Sequence, residues 1–242
     1  MPLKILGSRI DAVSFQDALD RIRALLPLNR PHHIITGNTL MLLEAEKDPV
    51  LREILENAEL VTPESSGIRW ASRVLGEPLE EFTPGIDLML AVCRVCAEEN
   101  LPIYLLGAAP GRAEEAGAAL RIRFPSLNIV GMHHGYFQRA EDPSVVTLIR
   151  RAKPSVLFVG MGMPAQEKWI AKNLEALGVP VVMGVGGSFD VLSGKLRRAP
   201  DAMRKIGAEW LYRLGQEPWR WRRIAQLPVF ARKVLIQKWR RQ

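Results

Sequence analysis

The feature that most restricts what this chain can fold into is a pattern met three times: a short β-rich apolar run ends in glycine and gives way to a helical segment, at Gly107, Gly160 and Gly184. Parallel strands need a long crossover between them, so strands alternating with amphipathic helices build a parallel sheet covered by helices. The spacing predicts strands over 33–36, 60–62, 103–106, 127–131, 155–159 and 181–185. Helices are predicted over 39–57 with a break near Asp48-Pro49, from Gly67 to Leu75, and over 87–99, 111–124, 144–152 and 165–177. The fold class is therefore α/β, a Rossmann-like, mostly parallel sheet flanked by helices.

An apolar content of 48%, 24% charge and a mean hydropathy of zero over 242 residues suit one globular unit with a sizeable core, and exclude a disordered chain. Stretches free of charge, such as 154–166, fall short of the roughly 20 apolar residues a membrane span needs. The first residues, MPLKILGSRIDAVSF, lack the apolar region of a secretory signal, so a cytoplasmic protein is expected. Cys93 and Cys96, three apart in an apolar helical pattern, are expected to pack in the core.

The net charge of +7 is unevenly placed. Beyond residue 196 lie 13 of the 33 Lys and Arg and only 3 of the 26 Asp and Glu, with Trp210, Trp219, Trp221 and Trp239. This divides the chain into a mildly acidic α/β body over 1–196 and a basic amphipathic helical appendage over 197–242. Met203, Ile206, Trp210, Leu211 and Leu214 recur at helical spacing beside cations. Phe230, Val234 and Trp239, with Arg232, Lys233, Lys238, Arg240 and Arg241, form a second expected interfacial segment. An anionic partner with an apolar neighbourhood fits, which favours a membrane surface over nucleic acid.

Glycine at the end of a parallel strand lets backbone N–H groups approach an anion, and the next helix adds its positive N-terminal dipole. Gly107, Gly160, Gly162 and Gly186 are thus candidate substrate-binding positions. Gly160-Met161-Gly162-Met163-Pro164-Ala165 fits a dinucleotide fingerprint, but the acidic residue expected about 20 positions on is missing. Gln166 is placed to bond a hydroxylated ligand, Glu167 to complement the helix dipole, and Asp190 to cap a helix or touch substrate. Thr36, Asn38 and Glu64 form a second polar group at strand ends, where a carboxylate can take a proton from an attacking hydroxyl. No Asp-x-Asp pair occurs, His133-His134 lacks a ligand-spaced partner, and Glu44-Ala45-Glu46 reads as a solvated helix face, so no bound metal is indicated.

Residues 160–172 read GMGMPAQEKWIAK, residues 184–200 GVGGSFDVLSGKLRRAP and residues 207–223 GAEWLYRLGQEPWRWRR. With Asn38-Thr39, Pro84-Gly85-Ile86-Asp87, the strand ending in Gly107 and His134-Gly135-Tyr136-Phe137, the chain closely resembles the WecG/TagA/CpsF family of bacterial glycosyltransferases over nearly its whole length. The resemblance implies an inverting, metal-independent transfer of N-acetylmannosamine or a related sugar. The donor would be a UDP-sugar and the acceptor N-acetylglucosaminyl diphospho-undecaprenol, at the inner face of the cell membrane, in wall teichoic acid or polysaccharide synthesis. No cofactor is implied, and a homo-oligomer is left open. By the same resemblance Thr36, Asn38 and Gln166 match polar pocket residues and Glu64 takes the place of the base. Arg213, Arg220 and Arg223 match arginines suited to gripping the leaving group or the lipid diphosphate. Two positions depart: Pro63-Glu64-Ser65 replaces Pro-Asp-Gly, and Phe82 stands where the family has arginine. They leave open a member that binds UDP-sugar without turnover.

Overall fold

The computed structural model describes residues 2–205 and 207–241; Ile206, one position of the expected apolar stripe, lies outside the described residues. An antiparallel hairpin, β1 (Leu3–Ile5) and β2 (Ser8–Ile10), precedes the main sheet and turns through Leu6 and Gly7 at φ of 51° and 77°. Positive φ at both central residues matches the right-handed twist of the two strands. The main sheet holds β3 (His32–Gly37), β4 (Leu60–Pro63), β5 (Ile103–Gly107), β6 (Ile129–His133), β7 (Val156–Gly160) and β8 (Val181–Gly184). All pairings are parallel, in the order β4-β3-β8-β7-β5-β6, so the six carboxyl ends share one edge.

Period-two alternation divides the core between the two faces of the sheet. Ile34, Leu105, Phe158 and Met183 pack with the helices Phe15–Leu25, Gly85–Glu98 and Arg112–Arg123. Tyr104, Leu106, Val159 and Val182 face the other way, against Asp142–Ala152 and Ala165–Leu177. Ile35 and Val61 extend that second face under Thr39–Ala45, Pro49–Asn57 and Ser66–Val74. The predicted break at Asp48-Pro49 is real: Asp48 caps the second helix by accepting from Leu51 N–H, and Pro49 occupies its first turn, where no donor is needed. Cys93 and Cys96 are fully buried, and burial raises both thiols, Cys96 to about 12, as inert packing groups.

Three expectations change. Strand β6 lies two residues later than predicted, because Leu127 packs in the core from the preceding loop. The Glu44–Glu46 stretch is no solvated face: Ala45 is fully buried and Glu46 is paired with Lys233 at 2.9 Å. That partner belongs to the helix Leu227–Arg240, which does not form an interfacial segment as a whole. Phe230 and Val234 are buried against the helices beside β3 and β4, and Gln237 bonds Leu6 N–H and Lys4 C=O, so this helix completes the body's core. Trp239 alone of the three apolar positions named there stays exposed. Among the described residues, no helix is long and apolar enough to cross a membrane.

Candidate active site

Adjacent strands β3 and β8 send the chain to opposite faces of the sheet. After β3 it enters Thr39–Ala45 on one face, and after β8 it enters Ser188–Leu192, whose Phe189 joins the core on the other. Such a divergence opens a crevice at the carboxyl ends of the strands, where ligands bind in open α/β sheets. The residues that converge there come from four strands.

On the β3 and β4 side, Asn38 caps Thr39–Ala45, its Oδ1 accepting from Leu40 and Met41 N–H at 3.1 Å each. Its Nδ2 is thereby aimed outward and donates to Glu64 Oε2 at 3.3 Å. Gly85 N–H donates to the other carboxylate oxygen at 3.3 Å. Gly85 also leaves necessary room: a Cβ there would stand 2.7 Å from Glu64 Oε1 and 3.2 Å from Thr36 Oγ1. Thr36 is buried and donates to Gly184 C=O at 3.3 Å, joining this group to the end of β8. The Glu64 carboxyl is raised above the usual range by burial, opposed by the Asn38 and Gly85 donors and by the Arg213 charge. Ser65 has an extended φ of −116° and caps Ser66–Val74, so no residue with left-handed freedom is required there.

On the β7 and β8 side, Gln166 is 2% exposed, and its Oε1 accepts from both Gly162 and Gly186 N–H at 3.1 Å. Those N–H groups are therefore engaged within the protein. Gly162 and Gly186 themselves have φ of +74° and +52° with open space beside them. Gly107 and Gly160 serve close packing instead: a Cβ on Gly107 would lie 2.5 Å from the Gly160 carbonyl, and one on Gly160 would lie 2.9 Å from Gly186 O. Asp190 is not the cap of its helix, a position held by Gly187; it lies in the first turn.

The tail closes the site. An Arg213 guanidinium nitrogen stands 2.6 Å from where a Gly187 Cβ would be, and Arg213 shares Glu217 with Arg220, at 3.4 and 2.8 Å. Arg223 is exposed, and its side chain makes no ion pair among the described residues. Arg198 and Arg204 converge on Asp87, two residues past Gly85, although neither was singled out in the sequence. Glu167 was read from the sequence only as a complement to the helix dipole. It is fully buried beside Gln166, and its carboxyl is raised by burial to about 8, so it does more than complement a dipole. The available signal was helical phase, since Glu167 shares the inward stripe with Ile170, three residues on.

A carboxyl with two hydrogen-bond donors thus stands at a switch-point crevice of a parallel α/β sheet, with Arg213 and Arg220 on the adjoining tail. The chain belongs to the glycosyl transferase WecG/TagA/CpsF family, whose pattern it matches over residues 3–242. Relatives include N-acetylglucosaminyldiphosphoundecaprenol N-acetyl-beta-D-mannosaminyltransferases of Staphylococcus aureus strains MW2 and COL. Each is 33% identical over 239 residues, covering 97% of this chain and 92% of the relative.

Proposed function

We propose that this protein transfers N-acetylmannosamine, or a closely related sugar, from a UDP donor to N-acetylglucosaminyl diphospho-undecaprenol with inversion, in synthesis of a cell-surface polymer. The observation that carries the mechanism is the Glu64 carboxyl held by Asn38 Nδ2 and Gly85 N–H at the mouth of the crevice. The acceptor hydroxyl oxygen bonds to the anomeric carbon as the bond from that carbon to the UDP oxygen breaks, and the hydroxyl proton passes to Glu64. Asn38 and the Gly85 N–H order this carboxylate, Thr36 joins their side of the site to the end of β8, and Gln166 shapes the opposite wall. Negative charge collects on the departing diphosphate. Arg213, Arg220 and Arg223 supply fixed positive charge to it or to the lipid diphosphate, a role that elsewhere falls to a metal ion.

Residues 1–196 carry the reacting carboxyl, and of the appendage 197–242 the part before the core-packed helix Leu227–Arg240 works at the inner membrane face. Support comes from Trp210, Leu211, Trp219 and Trp221, exposed large apolar side chains set among arginines. Each cation near an anionic leaflet contributes about 1 kcal/mol. The test incubates purified protein with a panel of UDP-sugars and a short-chain lipid diphosphate-GlcNAc analogue, with products identified by mass. Transfer from UDP-N-acetylmannosamine to give a β-linked disaccharide is expected. UDP-sugar binding with no product from any donor would overturn the reading in favour of a member that binds without turnover.

A further inference from the structure

Glu167 lies in the first turn of the Ala165–Leu177 helix, wholly buried at the carboxyl edge of the sheet. Its Oε2 has no hydrogen-bond partner among the described residues, while Oε1 accepts from Gln166 Nε2 at 2.9 Å. That contact sets which way the Gln166 amide faces. Gln166 Oε1 is then directed at the N–H groups of Gly162, just past β7, and Gly186, just past β8. Gly184 makes this packing feasible, because a Cβ there would stand 2.7 Å from Gln166 Nε2 and 3.1 Å from Glu167 Oε1.

We propose that Glu167 is a positioning residue for the transfer reaction: through Gln166 it fixes the spacing of the Gly162 and Gly186 turns that border the donor pocket. The role in transfer rests on the function proposed above; the staple between the turns does not. The surroundings also divide the protons of the site. Burial pushes Glu167 up to about 8, and the negative charge of Glu64 adds to that rise. Glu64 has two donors and the Arg213 charge favouring its anion, whereas no cation among the described residues is paired with Glu167. Around the same helix, Lys168 is taken by Asp48, Lys172 and Trp169 by Asp142, and His33 of β3 is held neutral by burial. At neutral pH Glu167 therefore keeps its proton, while the Asn38 and Gly85 donors and the Arg213 charge favour Glu64 as the anion against the burial that raises it. As pH rises through about 8, Glu167 ionises, and an uncompensated charge enters beside Glu64.

The test compares wild type with Glu167→Gln and Glu167→Ala. Amide hydrogen exchange at Gly162 and Gly186 reads the staple without any substrate, with β5 as internal control for an intact fold. Exchange at both glycines is expected to be about tenfold faster in Glu167→Ala and near wild type in Glu167→Gln. In transfer assays the donor KM is expected to rise about tenfold in Glu167→Ala and to be largely rescued in Glu167→Gln. The wild-type kcat/KM is expected to decline above about pH 8, a decline missing from Glu167→Gln. Unchanged exchange at the two glycines in Glu167→Ala, or an identical alkaline decline in Glu167→Gln, would overturn the proposal. Altered exchange in a protein that transfers no sugar would instead overturn the function proposed above and support the staple alone.

Discussion

The Asn38 side-chain amide donates to the Glu64 carboxylate at 3.3 Å while its carbonyl oxygen caps the Thr39–Ala45 helix. One side chain thus joins helix capping to orientation of the proposed base, and the cap decides which end of the amide faces Glu64. Glu64→Gln is expected to lower kcat by about 10²–10⁴-fold while the affinity for UDP, measured by calorimetry, stays within about threefold. Asn38→Asp keeps an oxygen for the cap but sets a second carboxylate against Glu64. It should lose at least about tenfold in rate with little change in melting temperature, whereas Asn38→Ala should also cost about 1 kcal/mol of stability.

Because burial raises the Glu64 carboxyl, the base is ionised only above the usual glutamate range. The rate should therefore fall on acidification at a pH higher than that of an ordinary glutamate, and the Glu64→Gln residual rate should lack this limb. A wild-type profile flat down to the ordinary glutamate range would remove Glu64 from the role.

His33 is buried on β3 with an Nε2 that has no hydrogen-bond partner among the described residues, and burial lowers it from 6.5 to about 3. Its folded form stays neutral where the unfolded chain already binds a proton. Stability from this group is complete above about pH 6.5 and is lost progressively as pH falls toward about 3. Urea unfolding between pH 7 and 4 should show the loss, and His33→Leu should flatten it.

Gly107 has φ of +143° and no space for a Cβ beside the Gly160 backbone, whereas Gly162 has φ of +74° with open space. Gly162→Ala should cost about 1–2 kcal/mol from backbone conformation alone. Gly107→Ala should cost several-fold more in urea unfolding, since backbone atoms at 2.5 Å cannot move aside cheaply.

Removing everything beyond Pro200 would test membrane contact and folding together, because Phe230 and Val234 fill the core beside β3 and β4. Phe230→Ala is expected to destabilise by about 3–5 kcal/mol. The exposed Trp219 and Trp221 separate the two effects. Their joint replacement by serine should reduce sedimentation with anionic liposomes several-fold while the melting temperature stays near wild type. Unaltered liposome binding would remove these tryptophans from the membrane contact.

The sequence by itself determined the order of strands and helices from β3 to β8, the break at Asp48-Pro49 and the burial of Cys93 and Cys96. Each follows from local periodicity, capping chemistry or proline geometry within a few residues. It also picked out Thr36, Asn38, Glu64 and Gln166, since polar residues just past apolar strands fall at one edge of any parallel sheet. The β1–β2 hairpin was not legible, its strands being only three residues each. Tertiary structure alone decided that Gln166 spends its carbonyl on two turns 20 and 4 residues away. It alone buried the Glu167 carboxyl, which burial raises to about 8, and turned the basic helix Leu227–Arg240 inward on Phe230 and Val234. The physical reason is common to all three. Burial, dielectric and hydrogen-bond partners belong to the assembled neighbourhood, and a charge count or helical stripe carries no record of which surface will cover it.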